Sequence, residues 1–291
     1  MSDSKKPFFQ RVNLGEEAVG GLSAGIVGTV IGFPLDVIKT RMQTGTATEG
    51  GMRGVASRIV RTEGIRSLYK GIAPPLISLS IINTLSFTSY SYFREVYHGT
   101  NGWDVKNSLA GMTGGPLFSI ITTPENFIKT QMQMDNVHAK RFRGSFHCAS
   151  VLIKEHGFLV LYTGNVVNTL REGAFVGCYF YVYEGFRERL LQKMGNAQVA
   201  VPVAGGLAGA SAWFFSFPLD CIRAGVQGRD LANPVKRGAV RVFVDLLKSK
   251  GILGLYSGVG PSIARAFLVS GSRFSAYEGA LWLLRGGRDN K

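Results

Sequence analysis

An all-α membrane protein built from three two-helix repeats is the fold class predicted for this chain, and three observations predict it. The first is a proline-led ion-pair code that occurs three times. It reads Phe33-Pro34-Leu35-Asp36-Val37-Ile38-Lys39, then Thr123-Pro124-Glu125-Asn126-Phe127-Ile128-Lys129, then Phe217-Pro218-Leu219-Asp220-Cys221-Ile222-Arg223. Its prolines lie 90 and 94 residues apart. The second is a glycine-bounded segment after each code, closing on Gly71, Gly164 and Gly258 at intervals of 93 and 94 residues. Two independent markers sharing one period mean internal repetition. The third is the absence of any charge from residues 18–35, 108–124 and 199–219. Runs of this length suit a helix crossing hydrocarbon, where the backbone must satisfy its own hydrogen bonds.

Each repeat therefore reads as a helix, a polar loop carrying a short amphipathic helix, and a second helix. The six transmembrane helices are expected near 15–43, 73–98, 104–133, 166–192, 199–228 and 261–284, with repeats at 1–100, 101–195 and 196–291. Between the paired spans lie polar segments at 51–63, 144–156 and 238–250. In the first, Val55, Ile59 and Val60 recur at helical spacing beside Arg58 and Arg61, the pattern of a helix lying on a membrane surface. The odd spans open with glycine pairs four apart (Gly21 and Gly25, Gly111 and Gly115, Gly205 and Gly209), which lets helix backbones approach closely.

Composition narrows the function. The formal charge is +14, yet only 18% of residues are charged and the basic ones are spread among loops and helix ends. That spread does not make a nucleic-acid surface, which needs a basic patch with interleaved aromatics. It fits attraction of anionic solutes and lipid headgroups. Cys148, Cys178 and Cys221 and the four histidines show no metal-ligand or disulfide spacing, so no cofactor or metal is expected. No nucleophile–base pair or phosphate loop argues for an enzyme. Residues 1–9 lack an apolar signal core and an Arg-rich presequence, so targeting information is expected to be internal.

The repeated code carries the chemistry. A proline inside a membrane helix removes a hydrogen bond and bends it, so kinks at one depth in three helices draw their ends toward a common axis. Charges at that depth pair or line a water-filled cavity. A ring follows, in which the acid of one odd helix meets the base of the next. Asp36 is expected to pair with Lys129, and Asp220 with Lys39. The third pair is degraded, because Asn126 stands opposite Arg223. Glu125 is adjacent but displaced by about 100° around the helix. Gln43, Gln133 and Gln227 each sit nine residues after their proline and are placed to brace the pairs.

This threefold Pro-x-[Asp/Glu]-x-x-[Lys/Arg] code, with its later Gly-to-aromatic-to-Gly segment, resembles the mitochondrial carrier family over essentially the whole chain. The group it is most similar to contains the carnitine/acylcarnitine and amino-acid carriers. The resemblance implies a central water-filled cavity, gates on the matrix and cytoplasmic sides, and residence as a multi-pass protein in the inner mitochondrial membrane, with a peroxisomal membrane as the alternative. The family's cytoplasmic gate code is an aromatic, an acid, and a base three residues after the acid. Tyr183-Glu184-Gly185-Phe186-Arg187 matches it; Tyr90-Ser91-Tyr92-Phe93-Arg94 lacks the acid, and Tyr277-Glu278-Gly279-Ala280-Leu281 lacks the base. Around the ring, Arg94 can meet Glu184 and Arg187 can meet Glu278. The absent partners, Ser91 and Leu281, would have faced each other, and losing both strands no charge.

The resemblance also places substrate contacts midway along the even helices: Arg171-Glu172 on the fourth, Arg265 on the sixth, and Ile82-Asn83 on the second. Guanidinium groups there suit a carboxylate, and Glu172 suits an ammonium. The set implies alternating-access transport of a small carboxylate-bearing zwitterion, an amino acid or a carnitine-like molecule. The missing acid at Ile82-Asn83 argues against a dibasic substrate. Two alternatives stay open: a mono- or dicarboxylate carrier using Arg171 and Arg265, and a non-transporting membrane scaffold derived from a carrier. A small-molecule solute and membrane lipid, including cardiolipin, are the expected partners of a monomeric chain. Arg273 has no assigned role.

Overall fold

The computed structural model describes residues 14–44, 50–138, 141–195, 197–231 and 238–265, with 268–269, 272, 276 and 280 beyond them. Eight α-helices are delimited among the described residues: α1 (Leu14–Gln43), α2 (Gly51–Glu63), α3 (Ala73–Val96), α4 (Val105–His138), α5 (Ser145–His156), α6 (Asn165–Met194), α7 (Ala197–Gln227) and α8 (Ala239–Lys250). A further helical run occupies 259–265, where the sixth span was expected to begin. The rest of that span, with Arg273, Glu278 and Leu281, lies mostly outside the described residues. The five long helices start and stop within a few residues of the expected spans. The chain runs helically through Pro34, Pro116 and Pro124.

Along α1 and α4 the first half exposes apolar residues and the second half buries polar and charged ones, the reverse of a water-soluble bundle. On α1, Val19, Leu22, Ile26 and Val30 are exposed, while Lys39, Thr40, Arg41 and Gln43 are buried. On α4, Leu109, Met112, Leu117 and Ile120 are exposed while Gln131, Gln133 and Asp135 are buried. By length and hydropathy alone, one described segment suffices to cross a membrane, Leu22–Gln43. Elsewhere Gly, Ser, Thr and ionised residues dilute the apolar runs. On α6, for example, Arg171, Glu172, Glu184 and Arg187 all sit within a single helix.

In the second repeat the glycine pair packs as predicted. A Cβ at Gly111 would lie 2.8 Å from the Val176 carbonyl oxygen, and one at Gly115 would lie 3.0 Å from the Gly173 Cα. Helices α4 and α6 thus meet backbone to backbone. In the third repeat the same device is slack, because a Cβ at Gly209 would touch nothing within 4 Å among the described residues.

The short helices α2, α5 and α8 bury one side each against the neighbouring long helix. Val55 and Ile59 pack with Phe33 and Val37 of α1; Cys148 and Leu152 pack with Phe127 and Met132 of α4. Burial pushes the Cys148 thiol up to about 12, so it acts as a small hydrophobe.

After each short helix the chain turns through a glycine with a left-handed backbone. Gly71 has φ +85°, Gly164 +77° and Gly258 +87°. These are the closing glycines of the repeat, and each abuts the odd helix of the next repeat. A Cβ on Gly71 would lie 2.9 Å from the Lys129 carbonyl oxygen of α4, one on Gly164 3.3 Å from Gln227 Cγ of α7, and one on Gly258 3.2 Å from the Lys39 carbonyl oxygen of α1. Conformation and space both demand glycine there.

Candidate functional site

The charged halves of α1, α4 and α7 meet in two interhelical ion pairs. Lys129 Nζ donates to Asp36 Oδ2 at 2.8 Å, joining α4 to α1. Lys39 Nζ lies 2.7 Å from Asp220 Oδ2, joining α1 to α7. Among the described residues the third junction has no such pair. Asn126 Nδ2 donates to Asn168 Oδ1 of α6 at 3.3 Å, and Arg223 turns back on its own helix. There it donates to Asp220 Oδ1 at 2.9 Å and to Gln227 Oε1 at 3.1 Å.

Two of the three glutamines brace these charges. Gln43 donates to Asp220 Oδ2 at 2.9 Å, and Gln227 accepts from Arg223 while donating to the Thr163 carbonyl at 3.3 Å. Gln133 departs from the expectation: it is fully buried and neither amide atom has a hydrogen-bond partner among the described residues. The acid it would have braced, Asp36, already holds Lys129 on Oδ2 and Arg265 on Oδ1.

At the far end of the bundle Arg94 of α3 lies 3.6 Å from Glu184 of α6. The rings of Tyr90 and Phe180 stack beside them. Arg187 pairs within its own helix, 3.2 Å from Glu184. Its expected partner Glu278 falls outside the described residues.

Between the two ends lies a cavity of about 350 Å³, lined by residues of α1, α3, α4, α6, α7 and the sixth span. Arg171, Glu172, Arg265 and Ile82 all border it. Asn83 belongs to α3, but its side chain is not among those described. Arg171 Nη1 donates to Glu172 Oε1 at 2.7 Å, and its Nε is 3.5 Å from Asp220 Oδ1. Arg265 Nε is 2.8 Å from Asp36 Oδ1. Both arginines, expected to await a substrate carboxylate, thus already rest on the acids of the proline code. The cavity is narrow enough for mid-helix arginines to reach them, and a buried guanidinium without an anion is costly.

A family model described as "Mitochondrial carrier protein" matches residues 10–101, 103–194 and 197–287. The chain belongs to the mitochondrial carrier family. It is 32% identical over 284 residues to "Mitochondrial arginine transporter BAC2" of Arabidopsis thaliana, covering 94% of this chain and 93% of that protein. It is 32% identical over 286 residues to "Solute carrier family 25 member 45" of Homo sapiens, covering 93% and 98%. Similarity to "Mitochondrial basic amino acids transporter" of Mus musculus is 27% over 277 residues, covering 92% and 89%. The carrier is thus a mitochondrial membrane transporter of small-molecule solutes, and not an enzyme.

Three residues escaped the sequence reading, two of them lining the cavity. Trp213 sits under two cations, 4.3 Å from Lys39 Nζ and 5.2 Å from the Arg171 guanidinium carbon, measured to the ring centre. Phe175 lies 5.1 Å from the same guanidinium. Trp213 stands in an uncharged span, where an aromatic reads as packing; Phe175 follows Arg171 by four residues on one helix, a spacing that could have marked it. Asn168 is fully buried and ties α6 to α4, donating to Thr122 and Thr123 at 2.9 and 3.0 Å. A lone Asn gave no signal.

Proposed function

We propose that this carrier moves a zwitterionic amino acid across the inner mitochondrial membrane by alternating access. The observation that carries the reading is the Arg171–Glu172 pair facing the same cavity as Arg265. Together they present guanidinium groups for a carboxylate and a carboxylate for an ammonium. The two named amino-acid transporters among the relatives support an amino acid over a carnitine-like molecule.

In this reading Asp36, Lys39, Lys129, Asp220 and Arg223, with Gln43, Gln133 and Gln227, form the matrix gate, and Asn126 is its gap. Arg94, Glu184, Arg187 and Glu278 form the cytoplasmic one. An incoming carboxylate competes with Asp36 for Arg265 and with Asp220 for Arg171. Substrate binding therefore loosens the acids that hold the matrix-side pairs. A ligand shifts such an equilibrium only by its differential affinity for the two states, and this exchange of partners supplies it. The chain acts as a monomer, with anionic lipid such as cardiolipin against its basic loops.

Purified carrier in liposomes tests the reading. Labelled amino acids should enter, dicarboxylates should not compete, and Arg171→Gln should abolish uptake. Dicarboxylate uptake in place of amino-acid uptake rejects it. With two complete interhelical pairs at the matrix end, uptake should proceed without internal counter-substrate; strict dependence on preloading rejects uniport.

A further inference from the structure

We propose that Glu125, the acid one residue out of register in the second proline code, is the residue that recognises a second positive charge on the substrate. The inference rests on the zwitterion reading above and adds a substrate class, amino acids with a cationic side chain. Glu125 borders the cavity with Arg171, Glu172 and Arg265. Four carboxylates and five basic groups line that space. Asp36 and Asp220 each hold at least two cations, and Glu172 holds Arg171. Glu125 makes no ion pair among the described residues; its partner is neutral, the Ser78 hydroxyl of α3, which donates to Oε2 at 2.5 Å.

The bases nearest along the code are committed elsewhere. Lys129, four residues on and so on the same helix face, is held by Asp36 at 2.8 Å. Arg223 is held by Asp220 and Gln227. A carboxylate in a membrane cavity without a cation is costly, and a substrate cation satisfies it. The wall beside it suits the rest of such a molecule. Ser78 and Ile82 stand four apart on α3, hence on one face, and Ile82 also borders the cavity. An aliphatic stem can lie along Ile82 while its charged end reaches Glu125 beside Ser78. The acid missing from the second helix at Ile82-Asn83 is thus supplied by the third, propped from the second.

Arginine and its neutral isostere citrulline separate charge from shape. In liposomes, the wild-type carrier should take up arginine in preference to citrulline. Glu125→Gln should lower that preference about tenfold or more, the loss of one charge-assisted contact; Glu125→Asp should recover part of it, and Ser78→Ala should lower it less. Because both solutes are measured on the same preparation, poor folding cancels from the ratio. An unchanged ratio in Glu125→Gln overturns the assignment. Arginine uptake that persists in Glu125→Gln while its dependence on an imposed proton gradient disappears also overturns it, in favour of a proton carrier. Wild-type uptake restricted to neutral amino acids overturns this inference and leaves the zwitterion reading standing; uptake of neither class brings down both.

Discussion

The junctions that α1 makes with α4 and α7 differ in kind from the junction between α4 and α7. The first two are crossed by ion pairs, the half-buried Lys129–Asp36 and the buried Lys39–Asp220. The third is crossed by neutral hydrogen bonds. Gln131 donates to the Gln227 and Arg229 carbonyls at 2.7 and 3.0 Å. One repeated sequence thus yields three junctions of unequal strength, because a single Asn126 removes the acid while the fold stays. It also leaves Arg223 to crowd Asp220, which then serves Lys39, Arg223 and Arg171 together. A symmetric ring would divide its charges evenly; this one concentrates them on one carboxylate.

That concentration sets the order of effects. Asp220→Asn takes the anion from Lys39 and Arg223 at a fully buried position, while Arg171 keeps Glu172, and thermal unfolding of the purified protein should show a loss of about 3–5 kcal/mol. An effect no larger than that of Asp36→Asn would erase the contrast. Asp36→Asn should cost less, about 1–3 kcal/mol, since its side chain and that of Lys129 keep 14% and 18% exposure and water can reach them.

Asn126→Asp offers Arg223 a partner across the weak junction. It should raise stability by about 1 kcal/mol and slow uptake, since one more pair must break in each cycle. Faster uptake would mean that the gap is no gate element. The smallest contrast lies in the glutamines. Gln43→Leu should cost about 1–3 kcal/mol by depriving buried Asp220 of a donor, whereas Gln133→Leu should change stability by less than about 1 kcal/mol, because its amide bonds nothing among the described residues. Equal losses in the two variants would show that Gln133 braces its pair as Gln43 does.

Much of this was legible beforehand, and particular residues show why. The Asp36–Lys129 and Lys39–Asp220 pairs follow from the repeat period, since equal spacing after each proline puts acid and base at one depth. The lack of a third pair could be read from Asn126 alone. Arg171, Glu172 and Arg265 reached the cavity as the family resemblance implied. Trp213 was illegible, because an aromatic in an apolar run looks the same whether it meets lipid or a guanidinium; Phe175, four residues after Arg171, carried a signal in its spacing. The idle amide of Gln133 was equally hidden; its spacing matches that of Gln43, and only the occupancy of Asp36 by Arg265 distinguishes them.

The sequence by itself determined the repeats, the helices and the depth of each charge, because those depend on distance along the chain. Tertiary structure alone decided which acid each arginine holds, why Gly71, Gly164 and Gly258 carry no side chain, and which cavity carboxylate is left, among the described residues, with only a hydroxyl for company. Those outcomes depend on how helices are rotated against one another and on which partner arrives within 3–4 Å, a scale of selection that spacing along one helix does not reach.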